Sequence, residues 1–296
     1  MSNEIRLDFL IIGAQKSGTT TLHHALRGHP ALQLPLVKEI EFFFNDELYQ
    51  RGPAALRPYF SADIRPGTKL GLSHVKNMFY HEITVPRIKT HNPDLKLIAL
   101  LREPASRACS AFWQKRRIGR EKAPDLAAAL EREWPGDRAA DSYLSHGLYA
   151  EQLLPFIDCF GRRNLYVALF EEFITNPKKI LNQIAVFLGV RPFSDEAAVP
   201  RLHNRAALPR RPWLESFFRS QAGWKKLYKK LLPESWRLRL VRPLVYRLQE
   251  RNLQEIAYPP IDAETAARLA DFYREPNRRL AALLDLDLSA WEKDGA

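Results

Sequence analysis

The stretch that most constrains this chain is FLIIGAQKSGTTTLHHALRGHP, Phe9 to Pro30. Phe9 to Ile12 is an unbroken apolar run closing on Gly13, the pattern of a strand buried on both faces. Thr19 to Arg27 carries Leu22, Ala25 and Leu26 at helical spacing and runs into Gly28 and Pro30, which stop a helix. A glycine-containing loop between strand and helix gathers backbone N–H groups at a helix N-terminus, where an anion is well placed. Gly13 to Gly18 fits the spacing G-x-x-x-x-G, yet Thr19 stands where a nucleoside triphosphatase carries its lysine. The lysine of this loop, Lys16, comes two residues before the second glycine. A magnesium-dependent kinase or NTPase, whose lysine must reach the β- and γ-phosphates, is therefore the weaker alternative.

Further strands alternate with helices. Leu95 to Leu101 (LKLIALL) is the strongest buried strand, Leu165 to Phe170 (LYVALF) is another, and Lys69 to Val75 is a third candidate. Pro104 is placed to begin a helix. Pro177 to Leu188 is amphipathic and ends at Gly189; helical patterns also fit Ala123 to Trp134, Leu148 to Phe160 and Glu264 to Leu284. This alternation predicts an α/β fold: a P-loop-like central parallel sheet flanked by helices, in one domain over 1–296. Arg201 to Pro260 departs from it, being basic, Trp-rich and helical in pattern, and is expected to form an insertion or lid.

The charge sits in that segment. The chain of 296 residues has a formal charge of +11. Between Arg201 and Arg251, 14 Lys/Arg face three acids, so the stretch alone carries +11 and the remainder is formally neutral. That distribution argues against a nucleic-acid partner and for one local basic surface. Over 213–251 the basic amphipathic pattern suits peripheral contact with an anionic membrane, a cover over an acceptor cleft, or a helix pair with its basic face in water. Two cysteines, Cys109 and Cys159, are too few for a disulfide framework. With no basic leader before a long apolar run, and no run of about 20 apolar residues, a cytoplasmic location is expected.

A second signal is LLREPASRACSAFW, Leu100 to Trp113. Arg102 falls at the C-terminal end of a buried parallel strand, where open α/β sheets bind their ligands. Ser110 follows eight residues later, with Ser106 and Arg107 between. A guanidinium and a hydroxyl so placed can grip a phosphate; equally, Arg102 can pair with Glu103, and Ser110 can be present for its size.

Taken together, GAQKSGTTTL resembles the 5′-phosphosulfate loop of the PAPS-dependent sulfotransferases (PAPS, 3′-phosphoadenosine 5′-phosphosulfate), and LREPASRACSAF resembles their 3′-phosphate segment, R-[DE]-P-x-x-R-x-x-S-x-[FY]. The resemblance continues from Gly147 through GLYAEQLLPFIDCFGRRNLYVALF and in FYREPNRRLAALLDLDLSAW, ending at Trp291. It points to the group that includes the heparan sulfate enzymes and bacterial relatives. It implies sulfuryl transfer from PAPS to a hydroxyl, with an amine as second choice, leaving 3′,5′-ADP and requiring no metal. Lys16 would meet the bridging oxygen and the sulfate, with Ser17 beside it. Gly18, Thr19 and Thr20 would hold the 5′-phosphate, and Arg102 with Ser110 the 3′-phosphate. Arg205, Arg210 and Arg211, where the family closes a loop over the donor, would add cations, although the K-G-R pattern of the heparan enzymes is missing.

LPLVKEIEFFFND, Leu34 to Asp46, resembles the stretch in which a glutamate before x-x-F-F serves as general base. The match makes Glu39 the base and leaves Glu41 at a variable position. In LGLSHVKNMFY, Leu70 to Tyr80, the resemblance is loose; His74 is an alternative base because an ordinary imidazole titrates near neutrality, and Lys76 a candidate sulfate contact. EIEFF favours a glycan acceptor; a lipid or small-molecule metabolite is the alternative.

Overall fold

β1 (Phe9–Gly13) forms the middle of a five-stranded, all-parallel sheet with β2 (Leu32–Gln33), β3 (Lys69–Ser73), β4 (Lys96–Leu101) and β5 (Leu165–Leu169), in the order β2-β3-β1-β4-β5. The computed structural model describes residues 4–61, 64–134, 142–194, 207–209, 253–255 and 259–292.

The period-2 alternation of the strands sorts the core onto two faces. Leu10, Ile12, Leu72, Leu97, Ala99 and Leu101 point to one side, where they pack with residues of α4 (His81–His91), α7 (Tyr149–Phe160) and α10 (Ala263–Leu284), among them Ile88, Phe156 and Leu284. Phe9, Ile11, Ile98, Leu100 and Ala168 point to the other, against Leu22 and Leu26 of α1 (Thr19–Arg27) and Ile180 and Ile184 of α9 (Pro177–Phe187). Both faces are covered, so the strands read as continuous apolar runs. Gly71 pairs with Phe9, and a Cβ at Gly71 would stand 2.2 Å from the Phe9 ring.

The remaining elements are short. α2 (Asp46–Gln50) is capped by Asn45, whose side chain accepts from Leu48 N; α3 (Lys76–Phe79) follows β3, and α6 (Leu126–Leu130) is capped by Asp125. α5 (Pro104–Arg117) follows β4 directly, α8 (Phe170–Thr175) follows β5, and α11 (Ser289–Glu292) lies near the C-terminus. Cys109 is buried and Cys159 partly so; neither is in a disulfide.

In the segment expected to be a helical insertion, two short strands are described: β6 (Ala207–Pro209) pairs antiparallel with β7 (Leu253–Glu255). The remaining helical expectation there, with 213–251 as a membrane-contacting surface, lies outside the described residues. Chain order reverses at β1: β3 and β2 lie to one side, β4 and β5 to the other. The crevice beyond the C-terminal ends of β1 and β4 is therefore the topological switch point at which this architecture binds ligands.

Candidate active site

The loop after β1 is built from backbone that disfavours ordinary residues. Lys16 has φ +69° and Gly18 φ +81°, both left-handed. Gly18 is the N-cap of α1, and a Cβ there would lie 2.9 Å from two ring atoms of Phe170. A Cβ on Gly13 would meet Met78 Sδ at 2.8 Å. The loop is thus held close to its neighbours, with its backbone N–H groups at the helix start. Ser17 is fully buried, and its Oγ has no hydrogen-bond partner.

Arg102 leaves the end of β4, lays its guanidinium over the Phe170 ring at 4.8 Å, and donates from Nη1 to Lys16 O at 3.4 Å. Tyr149 OH donates to Arg102 O at 2.8 Å and ties the strand end to α7. Glu103 does not pair with Arg102. Its carboxylate accepts from Ala105 N and Ser106 N at 2.7 and 2.5 Å, capping α5, while its own N donates to Glu171 Oε1 at 3.1 Å. Ser110 is buried on α5. Arg107, between them in sequence, turns inward: it is wholly buried, donates from Nη2 to the Tyr143 carbonyl, and has no partner for Nε or Nη1.

Electrostatically the pocket is positive. Burial, then Arg117, Arg102, Lys38 and Arg107, pull Lys16 down to about 7. A cluster of cations that depress one another, around an unpartnered hydroxyl and a glycine cradle, is chemically incomplete without an anion. Arg117, on the last turn of α5, and Lys38 were not singled out in the sequence. Neither falls in a recognisable phosphate motif; each acquires its meaning from where the fold delivers it.

Across the crevice, Glu39 has φ +64° and donates from its N to Ser73 O at 3.1 Å, which fixes it beside the end of β3. Its Oε1 is 2.5 Å from Lys38 Nζ; its Oε2 accepts from Val75 N at 3.4 Å and lies 3.4 Å from His74 Nδ1. Burial acts to raise the Glu39 carboxyl, but Lys38 and His74 outweigh it and hold the group below its usual value. His74 is buried and pulled down to about 4, chiefly by burial, against the opposing charge of Glu39. Phe44 stands edge-on to His74 at 4.6 Å and stacks on Tyr80 at 5.5 Å; Lys76 Nζ lies 5.8 Å from the Phe44 ring centre. A cleft of about 380 Å³ opens beside Glu39, lined also by Glu41, Glu47, Arg51 and Tyr59.

The structure thus brings Lys16, Ser17, Gly18, Thr19, Thr20 and Arg102 to the switch-point end of β1 and β4, leaves Ser110 buried on α5, and sets Glu39 and His74 side by side at the end of β3. Arg205 and Arg210 lie outside the described residues. Among the described residues no helix is long and apolar enough to cross a membrane, and no group of three or more His, Cys, Asp or Glu is placed to hold a metal ion.

A parallel α/β sheet with a cationic, glycine-cradled loop at its switch point, facing a carboxylate, is chemically suited to an anionic ligand. The family model described as "Sulfotransferase domain" matches residues 6–208, and the chain belongs to that sulfotransferase family. It is 26% identical over 286 residues to bifunctional heparan sulfate N-deacetylase/N-sulfotransferase 2 of Bos taurus, covering 93% of this chain and 29% of that protein. It is 28% identical over 197 residues to heparan sulfate glucosamine 3-O-sulfotransferase 3B1 of Mus musculus, covering 62% of this chain and 46% of that protein. The chain therefore spans less than half the length of these curated relatives. A crystal structure of a sulfotransferase from Alicyclobacillus acidocaldarius shares the fold, with a TM-score of 0.66 at 24% identity over 98% of this chain and 100% of that one.

Proposed function

We propose that this chain transfers a sulfuryl group from PAPS to a hydroxyl, with an amine as second choice, of a carbohydrate acceptor, releasing 3′,5′-ADP. The observation that carries the donor half is Lys16: the largest charge effects on it all come from cations, and its neighbour Ser17 keeps a buried hydroxyl without a partner. Bound PAPS supplies a sulfuryl group on a phosphate leaving group, a linkage open to in-line attack. The protein's task is then positioning and charge stabilisation.

In this reading Lys16 neutralises charge at the leaving oxygen, and Ser17 donates to the sulfate. Gly18, Thr19 and Thr20 hold the 5′-phosphate from the start of α1. Arg102, just ahead of α5, and Ser110, on its second turn, take the 3′-phosphate. Arg205 and Arg210 remain candidates for closing over the donor.

Glu39 takes the acceptor's proton. Its carboxylate is ionised at neutral pH and, with its side chain 39% exposed, borders the open cleft. His74 suits the task less well, because its Nδ1 lone pair already accepts from Lys76 N at 3.1 Å. The cleft's carboxylates, Glu41 and Glu47, favour an acceptor without a dense run of negative charge on this side. The similarity to a heparan sulfate N-deacetylase/N-sulfotransferase and to a heparan sulfate glucosamine 3-O-sulfotransferase supports a sugar acceptor. A lipid or small metabolite is the alternative, and a cytoplasmic location goes with either.

Labelled sulfate from PAPS, offered to a panel of sugar, lipid and phenolic acceptors, tests the proposal. Transfer should be lost in Lys16→Ala and Arg102→Ala, with weakened 3′,5′-ADP binding. If both variants bind 3′,5′-ADP as tightly as wild type, or if ATP hydrolysis with magnesium is found instead, the donor assignment fails.

A further inference from the structure

Lys38 lies on the irregular stretch between β2 and α2, with its side chain only 14% exposed, and its ammonium sits at the junction of the two halves of the site. Nζ lies 3.1 Å from Thr19 Oγ1, 3.3 Å from Thr20 Oγ1 and 2.5 Å from Glu39 Oε1. An ammonium has three N–H donors and no acceptor, so these three oxygens use its whole capacity. A threonine hydroxyl that accepts from Lys38 keeps its own O–H free to donate, which leaves Thr19 and Thr20 as donors toward whatever occupies the mouth of the loop. The third bond goes to the carboxylate across the crevice.

We propose that Lys38 is a positioning residue that couples the two halves of the reaction: it fixes the Thr19 and Thr20 hydroxyls as donors to the 5′-phosphate and keeps Glu39 an ionised base. The inference rests on the reading of Thr19, Thr20 and Glu39 given above.

The groups that face Glu39 support that role. From its own stretch come Lys38 and, two residues on, Glu41. From the turn after β3 come His74 Nδ1 and Val75 N, with Lys76 acting on His74 behind them. His74 is neutral at working pH, so Lys38 is the full positive charge in contact with the carboxylate. From the loop after β1, Lys16 is repelled by Lys38. An incoming anion relieves that repulsion, so one ammonium serves the loop and the base together.

Lys38→Met separates these effects from simple packing. In the variant, the acid limb of kcat should move up by about one pH unit as Glu39 loses its cation. The 3′,5′-ADP affinity should fall on the order of ten-fold as the two hydroxyls lose their orientation. Lys38→Arg, which keeps the charge, should restore the limb. If Lys38→Met is inactive, thermal melting without ligand carries the test. Glu39 is held below its unfolded value, so the stabilisation is present above the unfolded value and lost as pH falls through the folded one. The melting difference between wild type and Lys38→Met should therefore shrink on acidification through and below the ordinary carboxylate range. A limb that stays in place, an unchanged 3′,5′-ADP affinity, or a melting difference independent of pH overturns the coupling. Wild-type protein that ignores 3′,5′-ADP overturns the donor reading itself, and that outcome is distinct from a coupling failure in a protein that binds it.

Discussion

The backbone N–H of Lys76 donates to Nδ1 of His74 at 3.1 Å, which commits that nitrogen as an acceptor and leaves the ring proton on Nε2. With burial pulling the ring down to about 4, His74 is neutral through the working range and its lone pair is engaged. Glu39, held below the usual carboxylate value chiefly by Lys38 against the opposing effect of burial, stays a base to lower pH than an ordinary glutamate. The kcat value should therefore fall as pH drops through a limb below the normal glutamate range, with no acid-side inflection near that of a free histidine. Glu39→Gln should lower kcat by roughly 10²–10⁴-fold, and His74→Asn by much less. A profile with an inflection near neutrality that disappears in His74→Asn, while Glu39→Gln keeps its rate, would reassign the base to His74.

Lys16 makes a prediction about the donor side. Its value of about 7 means that it loses its charge in the free protein as pH rises through neutrality. An anion placed against it favours the ammonium and raises that value in the complex. Affinity for 3′,5′-ADP should then decline as pH rises above about 7, with up to one proton taken up per ligand bound. Calorimetry in buffers of different ionisation heat measures the uptake directly. Working above about pH 7.5 keeps the ligand's own phosphate titration, near 6, out of the signal. Lys16→Met should bind weakly and without this pH dependence; a dependence that persists in the variant assigns the proton to another group.

Much of the sheet was legible because β1 and β4 are buried on both faces, so Phe9–Ile12 and Leu97–Leu101 read as unbroken apolar runs. α1, α7, α9 and α10 carried helical periodicity and formed within a residue or so of their expected ends. Where sequence and structure part, tertiary contacts decide. The helix expected over Ala123 to Trp134 forms only as Leu126–Leu130. Ahead of it, Glu121 leaves any local pattern to accept from Ala123 N, Arg132 and Tyr143 OH. α4 gave no signal, since Pro86 interrupts it and its helicity depends on burying Thr84, Val85 and Ile88. In the site, motif residues could be read locally. Arg107 shared the motif yet faces the Tyr143 carbonyl, and Lys38 matters through hydroxyls 18 and 19 positions away in the chain. No local pattern encodes either fact.

Gly18 and Gly52 offer a matched pair. Both have positive φ, +81° and +71°, Gly18 in the left-handed helical region (ψ 10°) and Gly52 in an extended region open essentially to glycine (ψ 179°), but a Cβ on Gly18 would meet the Phe170 ring at 2.9 Å, while one on Gly52 meets nothing within 4 Å. Gly52→Ala should cost about 1–3 kcal/mol for the backbone conformation alone and leave 3′,5′-ADP binding intact. Gly18→Ala adds a clash to its own backbone cost and should displace the ring on which the Arg102 guanidinium rests, so binding should fall at least ten-fold. Denaturant titrations of both variants, with ligand titrations beside them, make the comparison. Equal stability losses with equal affinities would mean that the Phe170 contact contributes nothing.

Glu103 links the stability of α5 to donor binding. Its carboxylate caps the helix through Ala105 N and Ser106 N, and its own N is held by Glu171 Oε1, whose other oxygen lies 3.4 Å from Trp291 Nε1. Arg102 immediately precedes it and Ser110 lies two turns on, so the cap sets the geometry of the expected 3′-phosphate grip. Glu103→Ala should lower stability by about 1–2 kcal/mol, the usual cost of losing an N-cap. It should also weaken 3′,5′-ADP much more than 5′-AMP, which lacks the 3′-phosphate. Glu103→Asp, itself a good capping residue, should recover most of the stability. The two ligands separate a local loss of the 3′ grip from general loosening: equal weakening of both would show that the cap supports the fold but does not set the grip of Arg102 and Ser110.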